Sequence, residues 1–117
     1  MAKRDFEFQP GEYELLTETA AWGWWDNGKL IITNHRLIWI PQRTSNAEKM
    51  IVNMQDIAYC DQIRSPKYLF ICPSLRISLK DGTMYEIHNM KDMAEVQRLV
   101  LQNKDRKNYE PGSLFQD

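Results

Sequence analysis

The side chains that could carry out covalent or metal chemistry in this sequence are two histidines, His35 and His88, and two cysteines, Cys60 and Cys72. A cysteine beside a histidine can form a thiol nucleophile, and all four side chains are of types that bind zinc. However, each cysteine ends an apolar, strand-like run rather than lying in the electropositive, partly exposed setting that activates a thiol. The four residues also lack the close pair spacings of structural zinc sites. We therefore expect buried cysteines, no catalytic residue, no metal and no cofactor.

A cluster of tryptophans, Trp22, Trp24 and Trp25, favours binding over catalysis. An indole ring joins an apolar surface to a polar N–H group and therefore suits a protein interface or the boundary of a membrane. In an extended strand Trp22 and Trp24 share one face, which favours packing into the interior for these two. For Trp25, at the turn, burial and exposure are equally open. We take Trp24 and Trp25 as candidate binding residues.

The basic residues that could accompany these tryptophans are Lys29, Arg36 and Arg43. Together they could contact a partner or a phosphate-bearing headgroup. Lys29 is close to Asp26, however, and three glutamates between residues 12 and 18 oppose the positive charge. For Arg36 a structural role is the favoured alternative, in which its guanidinium holds a carboxylate or the next turn.

Length and composition describe one ordinary globular domain. A chain of 117 residues can bury about two-thirds of its unfolded surface. Its 26% charged and 43% hydrophobic residues are typical of soluble domains, and its net charge of −1 gives no overall field toward nucleic acid. No apolar run approaches the roughly 20 residues of a membrane span, and no signal peptide is apparent. We predict a cytoplasmic protein without a nucleic-acid partner, and peripheral membrane association is the alternative.

The first half of the sequence predicts strands. Residues 12–22 alternate imperfectly, and residues 28–41 form two apolar strands around a turn at Asn34 and His35. Pro41 should end the second strand because proline cannot donate to the ladder. A polar loop, a short strand and one helical turn should follow, over residues 42–48, 49–53 and 54–57.

The second half predicts further strands and then one helix. Strands are expected over residues 58–63, 68–72, 75–79 and 83–88, with a turn at residues 64–67, an interruption at Pro73 and a hairpin at Asp81 and Gly82. The period then changes, and residues 89–103 predict a helix capped by Asn89. Residues 1–11 form an N-terminal arm, residues 12–103 the domain and residues 104–117 a polar, flexible tail. The predicted core consists of Leu30, Ile32, Leu37, Trp39, Ile57, Ile77, Leu79, Val96 and Val100.

The segment from Gly28 to Trp39 resembles a family signature. Its glycine, apolar strand, Thr33-Asn34-x-Arg36-Leu37 and following aromatic residue are similar to GRAM domains and related members of the pleckstrin-homology (PH) superfold. GLUE-type PH domains, which bind lipid and ubiquitin, carry a related version. The resemblance implies a mostly β fold, a barrel of two orthogonal antiparallel sheets with six to seven strands, capped by one C-terminal helix. It also places the first hairpin loop at the mouth where ligands bind.

These observations predict a non-catalytic binding module rather than an enzyme. The near-zero charge and the exposed aromatics favour a protein- or peptide-interaction adaptor. The alternative is recognition of a membrane lipid, of the phosphoinositide type, through the first hairpin loop. We expect binding to centre on residues 24–29 and the loop over residues 42–48. Self-association through an exposed sheet edge is a further alternative.

Overall fold

The computed structural model describes residues 7–22, 26–42, 48–67 and 70–104. Within these ranges the chain forms seven strands, a 3-10 turn and one helix. The strands are β1 (Glu14–Trp22), β2 (Asp26–Thr33), β3 (Arg36–Pro41), β4 (Met50–Asn53), β5 (Ile57–Lys67), β6 (Phe70–Leu79) and β7 (Met84–His88). The 3-10 turn spans Met54–Asp56, where one helical turn is predicted, and the helix α1 spans Met93–Asn103.

The strands form one antiparallel sheet in the order β4-β3-β2-β1-β7-β6-β5. β1 meets β7 at two pairs only, Ala21 with His88 and Trp22 with Ile87, so the sheet divides into a β1–β4 part and a β5–β7 part. The helix α1 packs mainly against β5. The predicted fold class, mostly antiparallel β structure with one C-terminal helix, is confirmed.

The core lies between the two parts of the sheet and the helix. Every predicted core residue is fully buried except Leu79, which is partly buried against the core. Leu30 and Ile32 of β2 project into the core beside Leu37 of β3 because alternate residues of a strand share one face. From the helix, Val96 and Val100 complete the core, as the helical period predicts.

The predicted turn at residues 64–67 and the predicted interruption at Pro73 are both wrong. β5 continues to Lys67, and β6 runs through Pro73, which pairs with Arg64. Proline is tolerated there because β7 ends at His88, opposite Ser74, so β6 has only β5 beside it at Pro73 among the described strands. β5 and β6 therefore extend as a two-stranded ribbon beyond β7.

The helix begins later than the sequence pattern predicts. Asn89 has a positive φ of 59°, a left-handed conformation that cannot belong to a right-handed helix. Asp92 caps the helix instead, and its side chain accepts a hydrogen bond from the backbone N–H of Glu95. The apolar face of the helix is still as predicted, with Leu99 buried beside the two valines.

Trp39 of β3 connects three strands and both parts of the sheet. Its Nε1–H group donates to the carbonyl oxygen of Ala20 in β1 over 3.0 Å. Its ring meets that of Trp22 edge to face at a centroid distance of 5.3 Å, and Trp22 in turn meets Tyr85 of β7 at 5.5 Å. Since all the ring contacts are edge-on, they add a directional term to the burial of apolar surface.

Gly28 of β2 is required by this arrangement because the indole of Trp39 lies directly against it. A Cβ atom at Gly28 would lie 2.7 and 2.8 Å from two indole carbons and would clash with the carbonyl oxygen of Ile40. No side chain larger than hydrogen fits between them. The glycine of the sequence signature is therefore explained by close packing.

The signature residues Thr33 and Arg36 hold a buried carboxylate, that of Glu12 from the segment before β1. Arg36 donates through Nε and Nη2 to the two oxygens of Glu12, over 2.8 and 2.6 Å. The Thr33 hydroxyl donates to Glu12 over 2.5 Å, and the Gln9 N–H adds a bond of 2.8 Å. Charge-assisted, bidentate pairs of this kind fix geometry as well as adding energy.

Asn34, between these two residues, ties the same segment to the turn. Its side-chain oxygen accepts from the Tyr13 N–H over 2.8 Å, and its amide nitrogen donates to the carbonyl of Gly11 over 3.0 Å. The N-terminal arm also reaches Arg36, whose Nη2 donates to the carbonyl of Glu7 over 2.8 Å. The Thr-Asn-x-Arg motif therefore fastens the N-terminal segment to the β2–β3 hairpin.

The ionisation of Glu12 depends on these hydrogen bonds. Burial alone would raise its pKa, but the bonds from Arg36 and Thr33 outweigh burial and lower the pKa from 4.5 to about 2. The folded state thus favours the carboxylate more than the unfolded chain does. This stabilisation is present above about pH 4.5 and is lost as the pH falls toward about 2.

We predict that Gly28→Ala lowers the free energy of unfolding by about 2–3 kcal/mol, because the added methyl group must displace Trp39 or the β3 backbone. Urea unfolding followed by tryptophan fluorescence measures this loss. Lys29→Ala, at the next and exposed position, is the control and should change stability by less than about 0.5 kcal/mol. Equal stability of Gly28→Ala and the wild type would contradict the close packing.

We predict that Glu12→Gln lowers the free energy of unfolding by about 3–5 kcal/mol near neutral pH, because Arg36 loses the carboxylate that balances its buried charge. The gap between wild type and variant should narrow as the pH falls below about 4.5, since only the wild type has Glu12 to protonate. Urea unfolding at a series of pH values measures both effects.

The control for this variant is Glu95→Gln, which breaks an exposed pair with Arg98 whose Nη2 and Oε2 atoms lie 2.6 Å apart. Solvent screens that pair, so the change should be small. A gap between wild type and Glu12→Gln that stays constant with pH would contradict the assigned role of the carboxylate.

Candidate functional site

The candidate site is one end of the strands, which we call the mouth. Antiparallel pairing brings together the end of β1, the start of β2, the end of β3, the end of β6 and the start of β7. The residues at these positions are Trp22, Asp26, Pro41, Leu79 and Met84. A hydrogen bond of 3.0 Å from the Gln42 N–H to the carbonyl of Asn27 keeps the chain after β3 at this end.

The described residues at the mouth carry balanced charge. The cations are Lys29, Lys49 and Lys80, and the acidic residues are Asp26, Glu48 and Asp81. All three lysines are exposed, as are Glu48 and Asp81. Because an acidic residue lies within three sequence positions of each of these lysines, the described part of the mouth has no excess of positive charge.

The structure does not bring the candidate residues Lys29 and Arg36 together. Lys29 pairs with Ile40, which lies four residues beyond Arg36 on β3. At about 3.3 Å per residue, this separation is roughly 13 Å along the strand. Arg36 is therefore at the opposite end from the mouth, and its guanidinium is held by Glu12. This environment matches the structural role weighed for Arg36.

The candidates Trp24, Trp25 and Arg43 lie outside the described residues, so their part in binding stays a prediction. The strands that flank the first two are described, and Trp22 is the register partner of Asp26. Only three residues therefore connect β1 to β2, and two of them are tryptophans. Trp22 itself is half-buried against the core, in agreement with the interior packing favoured for that residue.

Cys60 has the environment of a structural thiol. It is fully buried in β5, and its pKa is raised to about 12, mainly by burial and also by the negative charge of Asp61. A thiol that stays protonated is a poor nucleophile. Its predicted burial is confirmed, whereas the side chain of Cys72 lies outside the description. Among the described residues, no group of His, Cys, Asp or Glu side chains is arranged to hold a metal.

Two exposed apolar residues near the mouth were not found from the sequence. Tyr59 of β5 is 53% exposed and Met84 of β7 is 60% exposed. Tyr59 lies in the apolar run that ends at Cys60, and an irregularity in the register after Ile57 turns it outward. The signal in the sequence was the expected burial of Cys60. Neighbouring residues of a strand point to opposite faces, so Tyr59 should face outward if Cys60 faces the core.

Comparison of the sequence with protein-family models and with curated proteins found no match. Comparison of the fold with solved structures found similar domains. The C-terminal domain of an unknown protein from Leishmania infantum matches with a TM-score of 0.62 and 19% identity, covering 83% of this chain and 88% of that one. The N-terminal PH domain of Vps36 matches with a TM-score of 0.61 and 16% identity, covering 82% and 84% of the two chains.

At these identities the likeness concerns the fold. The Vps36 domain supports the PH-like part of the resemblance carried by residues 28–39, while a GRAM assignment is not confirmed. No helix in the described ranges has the length and apolarity needed to cross a bilayer. The chain thus has a PH-like fold, with seven antiparallel strands and a C-terminal helix.

Proposed function

We propose that this protein is a non-catalytic, PH-like binding module that acts as a protein- or peptide-interaction adaptor through its mouth. We assign the contacts to Trp24 and Trp25 in the β1–β2 connection, with Lys29 and Arg43 as the contributing basic residues. Large aromatic residues commonly anchor such interfaces because they bury much surface at a small cost in side-chain entropy. Arg36 belongs to the scaffold in this proposal.

The balanced charge of the mouth is the observation that carries the proposal. A site for an inositol phosphate needs several cations that converge on one anion. Here each described lysine at the mouth has an acidic residue within three sequence positions, and Arg36 is held by Glu12 at the other end. A peptide, in contrast, can be bound mainly through apolar anchors and backbone hydrogen bonds.

Lipid recognition is the second candidate, favoured by one specific feature. Lys29 is exposed on β2, close to the connection that holds Trp24 and Trp25. A tryptophan that dips into a bilayer beside a cation is a common form of peripheral attachment. Such a site would weaken markedly as ionic strength rises, because it depends on charge. Binding through tryptophan anchors would depend on salt only weakly.

We predict that a photo-crosslinking residue at position 25 captures a discrete protein in cells of the native host, while the same residue at the exposed position Gln102 does not. With the captured protein purified, Trp25→Ala should reduce affinity by about 2 kcal/mol or more. Lys29→Ala and Arg43→Ala should each have a smaller effect, and high salt should change affinity little. Isothermal titration calorimetry at low and high salt measures these effects.

Sedimentation with vesicles is the matched test of the lipid alternative. Vesicles of phosphatidylcholine alone and with added phosphatidylinositol phosphates should both leave the protein in solution. If the phosphoinositide vesicles sediment it, and if Lys29→Ala, Arg43→Ala or high salt abolishes this while Trp25→Ala does not, the lipid function replaces the adaptor function.

A further inference from the structure

A row of three residues crosses the outer surface of the β5–β7 part of the sheet. Tyr59, Ser78 and Met84 are register partners on adjacent strands, and we call them the Tyr59–Met84 patch. The neighbouring residues Cys60 and Ile77 face the core, so this row projects away from it. The outer two side chains are 53% and 60% exposed.

The row forms a notch. Neighbouring strands lie about 4.8 Å apart, so the Cα atoms of Tyr59 and Met84 lie roughly 10 Å apart on either side of Ser78. The small serine, which is half-buried, forms the floor between them. A Cα separation of this size leaves room for one aliphatic side chain above Ser78. A methionine wall can adapt its shape to the side chain that enters, because the thioether chain is flexible and polarisable.

Acidic residues border the notch on both sides. The next row consists of Asp61, Arg76 and Glu86, and Arg76 donates to Asp61 over 3.2 and 2.8 Å. This pairing with Asp61, together with the charge of Glu86, raises the pKa of Arg76. The row as a whole carries a net charge of −1.

The border on the other side is also acidic overall. It contains Asp56 at the end of the 3-10 turn, and Lys80 and Asp81 in the turn after β6, all exposed. The N–H of Lys80 donates to the carbonyl of Asp56 over 2.9 Å, which holds these two segments together. Four carboxylates therefore surround the notch, against two cations, one of which is paired with Asp61.

We infer that the Tyr59–Met84 patch docks a protein segment that places an aliphatic side chain between Tyr59 and Met84 and presents Lys or Arg to the flanking carboxylates. This inference concerns residues of β5, β6 and β7 and does not use Trp24 or Trp25, and its binding should weaken as salt rises, whereas binding through the tryptophans should depend on salt only weakly. A second copy of this chain fits poorly, because a two-fold dimer would place the same acidic borders against each other. Lipid phosphates would be repelled for the same reason.

The experiment selects a random peptide library on the immobilised full-length protein, with counter-selection on the double variant Tyr59→Ser/Met84→Ser. Recovered peptides should carry an aliphatic residue next to Lys or Arg. Synthetic copies should shift the Met84 methyl resonance in spectra of methionine-labelled protein. Their affinity should fall about tenfold or more in Tyr59→Ser and in Met84→Ser, as expected for anchors at the centre of an interface.

Three controls make the result specific. Ile51→Ser removes another exposed apolar residue, on β4 and 43% exposed, and should leave affinity unchanged. Trp25→Ala should also leave affinity unchanged, so failure here is distinguishable from failure of the proposed function. The double variant Asp56→Asn/Glu86→Gln should weaken binding about threefold or more at low salt and little at high salt, because screening removes its contribution.

The inference is overturned by any of three results. One is that the selection yields no peptide whose binding depends on Tyr59 and Met84. Another is that the dependent peptides are rich in Asp and Glu. The last is that Met84 shifts with protein concentration alone, in which case a second copy of the chain occupies the patch.

Discussion

The packing of Trp39 against Gly28 is the constraint on which the rest of the fold depends. Trp39 lies on β3, reaches across β2 at its glycine and donates to the carbonyl of Ala20 on β1. Its ring contacts that of Trp22 edge to face, and Trp22 contacts Tyr85 of β7 in the same way, where the two parts of the sheet meet. The shared edge of those parts has only two register pairs. The aromatic contacts therefore add to the shared hydrophobic core in holding the two parts together.

The family-like motif turns out to build the scaffold rather than a binding site. Thr33, Asn34 and Arg36 use their side chains on Glu12, Tyr13 and the arm. Residues of this kind indicate a fold because they anchor the segment before β1 to the β2–β3 hairpin. They carry no information on what the protein binds.

The sequence predicted what depends on short-range pattern. Alternation identified the core of β2, β3 and β6, and the helical period identified Val96 and Val100. It did not predict that Pro73 lies in a strand, because this depends on where β7 ends, nor that Asn89 adopts a left-handed conformation before the helix. Nor did it predict that Tyr59 is exposed, although the expected burial of the neighbouring Cys60 was a signal for it.

The separation of Glu12 from Arg36 along the chain has a consequence for the kinetics of folding. The two residues are 24 positions apart, whereas the turn from Thr33 to Arg36 is local. The β2–β3 hairpin can therefore form while the Arg36 guanidinium is still hydrated. The segment that carries Glu12 packs against Arg36 later, because closing the longer loop between these two residues costs more entropy. Interactions that form after the transition state slow unfolding more than they speed folding. Glu12 should accordingly set the lifetime of the folded protein rather than the time that it needs to fold.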